Sequence, residues 1–280
     1  MRGVDLHIHT VFSDSTLTPE EVVDEAVKAD LEAIAITDHD SIDGVEPALE
    51  YAKDYPVEVI PGVELATTFG GKEIHILGYF VDHRDRELQD ELRILKLDRL
   101  ERAREIVTKL VKYGLPISFE KVKKIAGDGV VARPHIAKAM IEEGLVSSYS
   151  EAFTRYIADG SPCCVAKRML DYARAIELVR GVCGVPVLAH PKDEKTMSYI
   201  PELVSCGLAG VEVWHPDHSS SFTDYLLKYT EKNALMATGG SDCHGARKGK
   251  PQIGKFRLPF KTVEDLKKYR QEHLHGSDPS

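Results

Sequence analysis

The sequence predicts an α/β fold: a parallel sheet or barrel interrupted by an all-helical insertion. Two stretches, residues 1–84 and 160–280, alternate short apolar strand patterns with amphipathic helix patterns, as parallel strands joined by helices do. Residues 85–159 show helix patterns and no convincing strand. Residues that commonly bind metal ions recur where the strands end. We therefore expect a barrel that carries a metal centre and a helical insertion that serves as a substrate cap.

The composition is that of a soluble globular protein. The chain has 280 residues, of which 42% are apolar and 29% charged, enough to bury a sizeable core. The N-terminus lacks a signal-peptide pattern, and no apolar run approaches the roughly 20 residues that cross a bilayer. We therefore expect a cytoplasmic protein that does not contact the membrane.

Charge and cysteine usage exclude further classes. The net charge of −9 disfavours binding of long duplex nucleic acid, which needs many Lys and Arg contacts to phosphate. A small anion remains compatible with it. The five cysteines are odd in number and form no C-x-x-C pair, so reduced thiols are expected rather than disulfides or a zinc ribbon.

Seven segments are predicted to be strands because they are short and rich in apolar or β-branched residues. They are Val4–His9, Ala33–Thr37, Val57–Val63, Ile74–Val81, Pro186–Ala189, Gly210–Trp214 and Ala234–Thr238. The turn-rich Thr67–Lys72 separates the third from the fourth. The alternation with helices predicts that these strands run parallel.

The first helix has the strongest local signal. Thr18 is a suitable N-cap, Pro19 occupies the first helical position, and Glu21 completes a capping box, so a helix is expected to run to about Lys28. Other barrel helices are predicted at Val45–Lys53, Tyr172–Val182, Ile200–Val204, Thr223–Glu231 and Val263–Glu272, and insertion helices at Glu87–Val111, Phe119–Ile125, Pro134–Glu142 and Ser150–Ile157.

Histidines and carboxylates, the side chains that commonly bind metal ions, cluster at the predicted strand ends. His7 and His9 lie on one face of the first strand, about 7 Å apart along it, because strand side chains alternate between faces. Others follow later strands or their loops: Asp14, His39, Glu64, His190, Asp242 and His244, with His75 at the start of the fourth strand. Since the carboxyl ends of parallel strands form the catalytic rim of a barrel, His75 fits less well. Each residue alone could have an ordinary role in a turn or in the core. Nine such residues at successive strand ends favour a metal centre.

These residues belong to a series of motifs that resembles a known family. In order they are D-L-H-I-H-T, S-D-S, T-D-H-D, G-V-E-L, H-I-L-G-Y, R-P-H-I-A, A-H-P and G-S-D-C-H. The series resembles the PHP (polymerase and histidinol phosphatase) superfamily, most closely the branch of nucleoside 3′,5′-bisphosphate phosphatases and the related 5′-3′ exoribonuclease. It spans Met1 to about Phe260 and implies a distorted (β/α)7 barrel with up to three metal ions.

The resemblance also implies a ligand set. His7, His9, Glu64 and Asp242 would hold a first ion. Glu64 would bridge to a second ion completed by His75 and His190, and a third would be held by Asp14, His39 and His244. Mixed imidazole and carboxylate shells suit zinc, manganese or iron, so two to three divalent ions are expected. Some family members carry His where Asp14 stands, which changes the charge balance of the third site.

Such a centre favours phosphate. Three divalent ions against three carboxylates leave a charge of about +3 within an acidic protein, which attracts a phosphate monoester. Six further residues are assigned to substrate or catalysis: Arg133 and His135 to both, Lys167, Arg168 and His218 to substrate binding, and His215 to catalysis. The alternatives are an ordinary helix start for Arg133 and His135, a solvated basic patch for Lys167 and Arg168, and rim polarity for His215 and His218.

The leading functional prediction is a metal-dependent phosphatase that removes the 3′-phosphate of nucleoside 3′,5′-bisphosphates. Divalent ions make hydroxide available near neutral pH for in-line attack, so no covalent enzyme intermediate is needed. An exoribonuclease that trims short RNA from the 5′ end is a close alternative, and histidinol phosphatase a third. A regulatory module that binds metal and nucleotide without catalysis is the non-enzyme alternative. The sequence leaves the oligomeric state open.

Overall fold

The protein folds as an eight-stranded α/β sheet, which confirms the predicted fold class. The computed structural model describes residues 3–127, 129–248 and 250–273. Seven strands follow one another across the sheet in the order β1-β2-β3-β4-β6-β7-β8, and the short β5 pairs with β3. The strands are β1 (Gly3–Ile8), β2 (Leu31–Ile36), β3 (Glu58–Phe69), β4 (Lys72–Tyr79), β5 (Leu170–Asp171), β6 (Val185–Leu188), β7 (Gly210–Trp214) and β8 (Met236–Gly239).

The helices lie close to their predicted positions. Thr18 caps α1, and its side chain and that of Glu21 form the expected capping box. The helices are α1 (Pro19–Lys28), α2 (Val45–Ala52), α3 (Arg86–Lys112), α4 (Phe119–Ala126), α5 (Arg133–Glu142), α6 (Tyr149–Ala152), α7 (Tyr172–Gly181), α8 (Glu194–Met197), α9 (Ile200–Ser205), α10 (Ser220–Lys232) and α11 (Lys261–His273), with a π-helical turn at Phe153–Ile157 and a 3-10 helix at Gly245–Lys248. Within the described ranges, no helix combines the length and apolar character needed to cross a membrane.

The prediction that all strands run parallel is wrong for β4. This strand pairs antiparallel with β3 on one side and with β6 on the other, whereas β1-β2, β2-β3, β6-β7 and β7-β8 are parallel. The cause is the connection: only Gly70 and Gly71 lie between β3 and β4, and both have positive φ. Two residues can close an antiparallel hairpin but cannot make a parallel crossover.

The first strand lies against the chain that follows the last one. An isolated parallel bridge joins Ile8 to Cys243, and the His9 amide donates to the Cys243 carbonyl at 3.1 Å. A methyl group on Gly240 would lie 2.4 Å from the backbone nitrogen of His7. Glycine is therefore required for the two ends of the sheet to approach here.

The helical segment between β4 and β5 has its own core. Ala103, Ile106 and Leu110 of α3 pack with apolar residues of α4, α5 and α6. The first turns of α3, with Leu88 and Leu92, pack instead with the apolar core beneath α1 and α2. The long helix α3 thus connects the two cores, whereas the division of the chain at residues 85–159 remains a prediction.

Replacing Gly240 tests the close approach of the two ends of the sheet. We expect Gly240→Ala to lower the free energy of unfolding by about 1–3 kcal/mol, because the added methyl group meets backbone atoms that cannot move aside. Urea denaturation measures this. Gly181→Ala is the control, since a methyl group there meets nothing within 4 Å; equal stabilities of the two variants would contradict the interpretation.

Candidate metal centre

Glu64 occupies the middle of the site. The strand β3 is longer than predicted, so Glu64 lies within it rather than at its end, and it is fully buried. Its Oε1 lies 2.7 Å from His75 Nδ1 and 2.9 Å from His190 Nε2. Its Oε2 faces three other histidines: His39 Nδ1 at 2.8 Å, and His7 Nε2 and His9 Nε2 at 3.4 Å each. The two oxygens thus face two separate histidine groups, as a carboxylate that bridges two metal ions would.

Asp242 and Asp14 extend the cluster on the side of β1. Asp242 Oδ1 lies 3.1 Å from His9 Nε2 and 3.4 Å from His7 Nε2. His244 Nε2 lies 3.0 Å from Asp14 Oδ1, and its ring stacks on that of His9 with centroids 4.2 Å apart. The loop after β8 and the loop after β1 therefore meet over the β1 histidines.

All nine residues assigned as metal ligands from the sequence are brought together. Four groups place their ligand atoms within 4.8 Å of one another: His9-Asp14-His39-His244, His7-Glu64-His190, His7-His9-Asp242 and His39-Glu64-His75. The first contains the predicted third set with His9 added, and Glu64 belongs to two groups. The predicted second set divides between two groups, since His190 is grouped with His7 and His75 with His39. The assignment of ligands to individual ions therefore remains a prediction.

The topology explains how each ligand reaches the centre. His75 reaches it because β4 is reversed, which puts the start of that strand beside the ends of its neighbours. His190 and Asp242 both have left-handed backbone, with φ of 23° and 48°. Such backbone costs a non-glycine residue about 1–3 kcal/mol and is concentrated at functional sites. The strain thus serves to aim these two side chains inward.

The donor set fits divalent cations. Three buried atoms, His7 Nε2, His39 Nδ1 and Glu64 Oε2, make no hydrogen bond with any described residue. Glu64 Oε2 nevertheless lies 3.4 Å from His7 Nε2 and 2.8 Å from His39 Nδ1. Buried polar atoms are nearly always hydrogen-bonded. A cation placed among them would satisfy all three.

The ionisation of the cluster agrees with this role. Burial would raise the pKa of Glu64, but the charges of His39, His75 and His7 outweigh it and hold that pKa well below its usual range. Burial and the neighbouring His244 and His39 lower the pKa of His9 to about 3. His9 is thus neutral at physiological pH, as a metal-binding imidazole must be.

Glu212 supports the centre from behind, and sequence reasoning missed it. It is fully buried in β7; its Oε1 lies 3.0 Å from His7 Nδ1, and its Oε2 accepts the His190 amide at 2.8 Å. A proton on His7 Nδ1 leaves Nε2 to bind a metal ion, as is usual for histidine ligands. A carboxylate inside the apolar strand Gly210–Trp214 was the signal that could have revealed it.

Two of the predicted substrate residues line one cleft beside the metal ligands. This central cleft of about 190 Å³ is lined by the ligand candidates Asp14, His39 and His75, by Glu73, Ala132, Pro134 and Phe153, and by the cations Arg99, Arg102, Arg133 and Lys167. Lys167 Nζ donates to Glu73 at 2.8 Å, and Arg133 to Asp159 at 2.8 Å. Sequence reasoning missed Arg99 and Arg102, since α3 carries many charged residues on its exposed faces.

The lining of the central cleft brings four cations close together, with two carboxylates, Asp14 and Glu73. Burial lowers the pKa of Lys167, and the Arg99 charge lowers it further. The pKa of Arg102 is lowered by burial and by the charges of Arg133 and Arg99. Arg102 donates to the Val165 carbonyl at 2.8 Å, a bond that does not neutralise its charge.

Two further clefts adjoin the central cleft. The side cleft, of about 370 Å³, shares His75 and Arg133 with it and adds Lys192 and Thr196. The distal cleft, of about 400 Å³, shares Asp14 and contains the predicted residue His135. His135 Nδ1 accepts the Ala132 amide at 3.0 Å, so a neutral His135 carries its proton on Nε2.

The other predicted substrate residues lie differently. Arg168 pairs with Asp98 at 3.2 Å, is 70% exposed, and lies outside the linings of these clefts. Its position does not support the predicted role in substrate binding. His215 is buried, and its Nδ1 accepts the Asp217 amide. His215 Nε2 faces Asp242 Oδ2 at 3.3 Å, which favours orientation of Asp242 over contact with substrate.

His218 is held by its own strand. Its Nδ1 donates to the Val213 carbonyl at 2.9 Å, and its Nε2 is buried without a hydrogen-bond partner among the described residues. His218 does not belong to the lining of the central cleft. Its assignment to substrate binding stays a prediction.

The fold and the site define the architecture of a metallohydrolase, and comparisons with known proteins give the family. The PHP domain family matches residues 5–166. A 5′-3′ exoribonuclease of Haemophilus influenzae is 33% identical over 245 residues, covering 86% of this chain and 89% of that protein. A 3′,5′-nucleoside bisphosphate phosphatase of Chromobacterium violaceum is 28% identical over 260 residues, covering 91% of each.

A solved structure agrees with these relatives. A crystal structure from Bifidobacterium adolescentis, of a protein described provisionally as a metal-dependent phosphoesterase, superposes with a TM-score of 0.87 at 28% identity and 95% coverage of both chains. The chain belongs to the PHP family and is a metal-dependent phosphoesterase.

Replacing Glu212 tests its support of the ligands. We expect Glu212→Gln to weaken Mn²⁺ binding roughly 10- to 100-fold, because an amide offers one oxygen where the His7 ring and the His190 amide each need an acceptor. Competition with a chromogenic chelator measures the affinity. Glu231→Gln, on the exposed surface of α10, is the control; equal affinities for the two variants would refute the supporting role.

Proposed function

We propose that the enzyme removes the 3′-phosphate from nucleoside 3′,5′-bisphosphates. The observation that carries this is the central cleft, whose lining combines metal-ligand candidates with the cationic side chains of Arg99, Arg102, Arg133 and Lys167. A substrate with two phosphates matches both kinds of residue: the reacting phosphate at the ligands and the second at the cations. The small volume of the cleft favours a mononucleotide over a long polymer.

The insertion supplies much of the substrate-binding wall. Arg133 begins α5, and Phe153 lies in the π-helical turn, with the guanidinium 5.7 Å from the ring centroid. In our proposal Arg133 exchanges its exposed partner Asp159 for two phosphate oxygens, which suit its planar fork. Phe153 offers a ring on which a base can stack. These contacts make the insertion a substrate cap.

The barrel residues orient the reacting phosphate. Bound divalent ions lower the pKa of water and offset the charge of the phosphoryl oxygens. From the insertion, His135 of α5 donates in our proposal from Nε2 to the leaving oxygen. Glu212 keeps the His7 ring in the tautomer that leaves Nε2 available, and Glu64 holds the two groups of histidines at a fixed separation.

Exoribonuclease activity on short 5′-phosphorylated RNA is the second candidate. The central cleft continues past His75 and Arg133 into the side cleft, where Lys192 could pair with the phosphate of a further nucleotide. The same 5′-phosphate would be held and the same 3′ oxygen of the first nucleotide would leave, taking a proton. The attacked phosphorus would then carry the rest of the RNA chain, which keeps that phosphate as its new 5′ end. The Haemophilus influenzae relative supports this candidate.

Steady-state kinetics distinguish the candidates. We expect Mn²⁺-loaded protein to show its highest kcat/KM on adenosine 3′,5′-bisphosphate, compared with a 5′-phosphorylated RNA trinucleotide and histidinol phosphate. The reason is that the bisphosphate needs room only for one nucleoside and two phosphates, whereas the trinucleotide must also place further nucleotides on the attacked phosphorus. Preference for the trinucleotide would establish the second candidate, and preference for histidinol phosphate would contradict both.

Variants of two arginines test the phosphate-binding wall. We expect Arg133→Ala to raise KM for the bisphosphate roughly 10- to 100-fold, since hydrogen bonds to charged groups contribute about 1.5–3 kcal/mol. Arg133→Lys should give an intermediate KM because it keeps the charge and loses the fork. Arg168→Ala should change KM less than about twofold, as expected for an exposed ion pair. A larger effect from Arg168→Ala than from Arg133→Ala would overturn the assignment.

A further inference from the structure

Glu73 joins the metal centre to the phosphate-binding wall. It precedes His75 by two residues on β4, so both side chains lie on one face of the sheet. Its Oε1 lies 3.1 Å from His75 Nε2 and 2.8 Å from Lys167 Nζ. A single carboxylate oxygen thus contacts a metal-ligand candidate and a cation of the central cleft.

The contact with His75 determines the tautomer of that ring. The other ring nitrogen, Nδ1, lies 2.7 Å from Glu64 Oε1, where His190 Nε2 also lies, at 2.9 Å. If Nδ1 binds an ion held together with Glu64 and His190, the ring proton must be on Nε2. From Nε2 it can be donated to Glu73, which gives the carboxylate-histidine-metal arrangement common at metal sites.

The contact with Lys167 supplies a counter-charge. The Lys167 side chain is 11% exposed, and a buried ammonium requires a paired anion. The neighbouring Asp40 is already occupied by Arg99, whose guanidinium donates to it, and by the Ala66 amide. Glu73 is therefore the carboxylate that fixes the Lys167 ammonium beside the cleft.

We propose that Glu73 is a positioning residue that sets His75 and Lys167 at a fixed separation. It thereby aligns the ion shared by Glu64, His75 and His190 with the cation that receives a substrate phosphate. The part concerning Lys167 rests on the proposed function, because it assumes a phosphorylated substrate in the central cleft. The part concerning His75 depends only on metal binding.

Metal binding by a series of variants tests the proposal. Binding of Mn²⁺ alone is measured by calorimetry, and metal content by mass spectrometry after dialysis at fixed free Mn²⁺. Glu73→Ala should weaken one Mn²⁺ site roughly 10- to 100-fold and leave the others unchanged. Glu73→Gln keeps an acceptor without the charge and should recover part of the loss; it also carries the test if Glu73→Ala does not fold. Glu58→Gln is the control, since Glu58 is similarly exposed and pairs with Lys267 away from the centre.

A Lys167 variant separates the two contacts. Lys167→Met should bind Mn²⁺ like the wild type and raise KM for the bisphosphate, whereas Glu73→Ala should change both metal affinity and KM. Wild-type Mn²⁺ affinity in Glu73→Ala and Glu73→Gln would overturn the proposal, as would an equal loss of metal in Lys167→Met. If none of the phosphoesters is turned over but Glu73→Ala still loses one Mn²⁺, the proposed function fails and the positioning of His75 stands.

Discussion

The contact of one buried carboxylate with five imidazoles is the constraint on which the rest of the site depends. Glu64 is inaccessible to solvent within β3, and a buried carboxylate is tolerated only when cations or hydrogen-bond donors surround it. The rings come from β1, the loops after β2 and β6, and the reversed β4: His7, His9, His39, His190 and His75. Each of these chain segments must therefore bring its histidine to the level of Glu64 in the sheet, so that the carboxylate is surrounded by imidazole nitrogens.

The same contact relates metal binding to protonation. The charges of several histidines hold the pKa of Glu64 low, and the charge of Asp14 contributes to raising the pKa of His244 to about 9 against the effect of burial. Protons on these rings provide the positive charge that the carboxylates need. Divalent ions supply that charge instead, so their binding must release protons from the rings. Metal affinity at this centre is consequently coupled to pH.

Sequence reasoning succeeded where the signal is local. The two-residue alternation of His7 and His9 and the capping box of α1 depend only on neighbouring residues, and both predictions agree with the structure. Strand direction depends on pairing across the sheet. The β4 reversal was missed because the predicted strands ended at Val63 and began at Ile74, whereas in the structure only Gly70 and Gly71 separate β3 from β4, too few for a parallel crossover. Arg99 gave no sequence signal at all, because its role arises from the packing of α3 against the loop that contains Asp40.

Under the proposed function, the candidate metal ligands and the substrate-binding residues come from different parts of the chain. The sheet and the loops after its strands position the candidate metal ligands, and β7 positions Glu212 beside His7. The insertion supplies Arg133 and Phe153, whose partners Asp159 and the π-helical turn are local to it. Under the proposed function, a change in the insertion would alter which group beyond the phosphate is held and would leave the reacting centre intact. Relatives about 30% identical over most of the chain carry the names of a phosphatase and an exoribonuclease. Under the proposed function, the two reactions share the leaving 3′ oxygen and differ in whether the attacked phosphorus carries a further nucleotide.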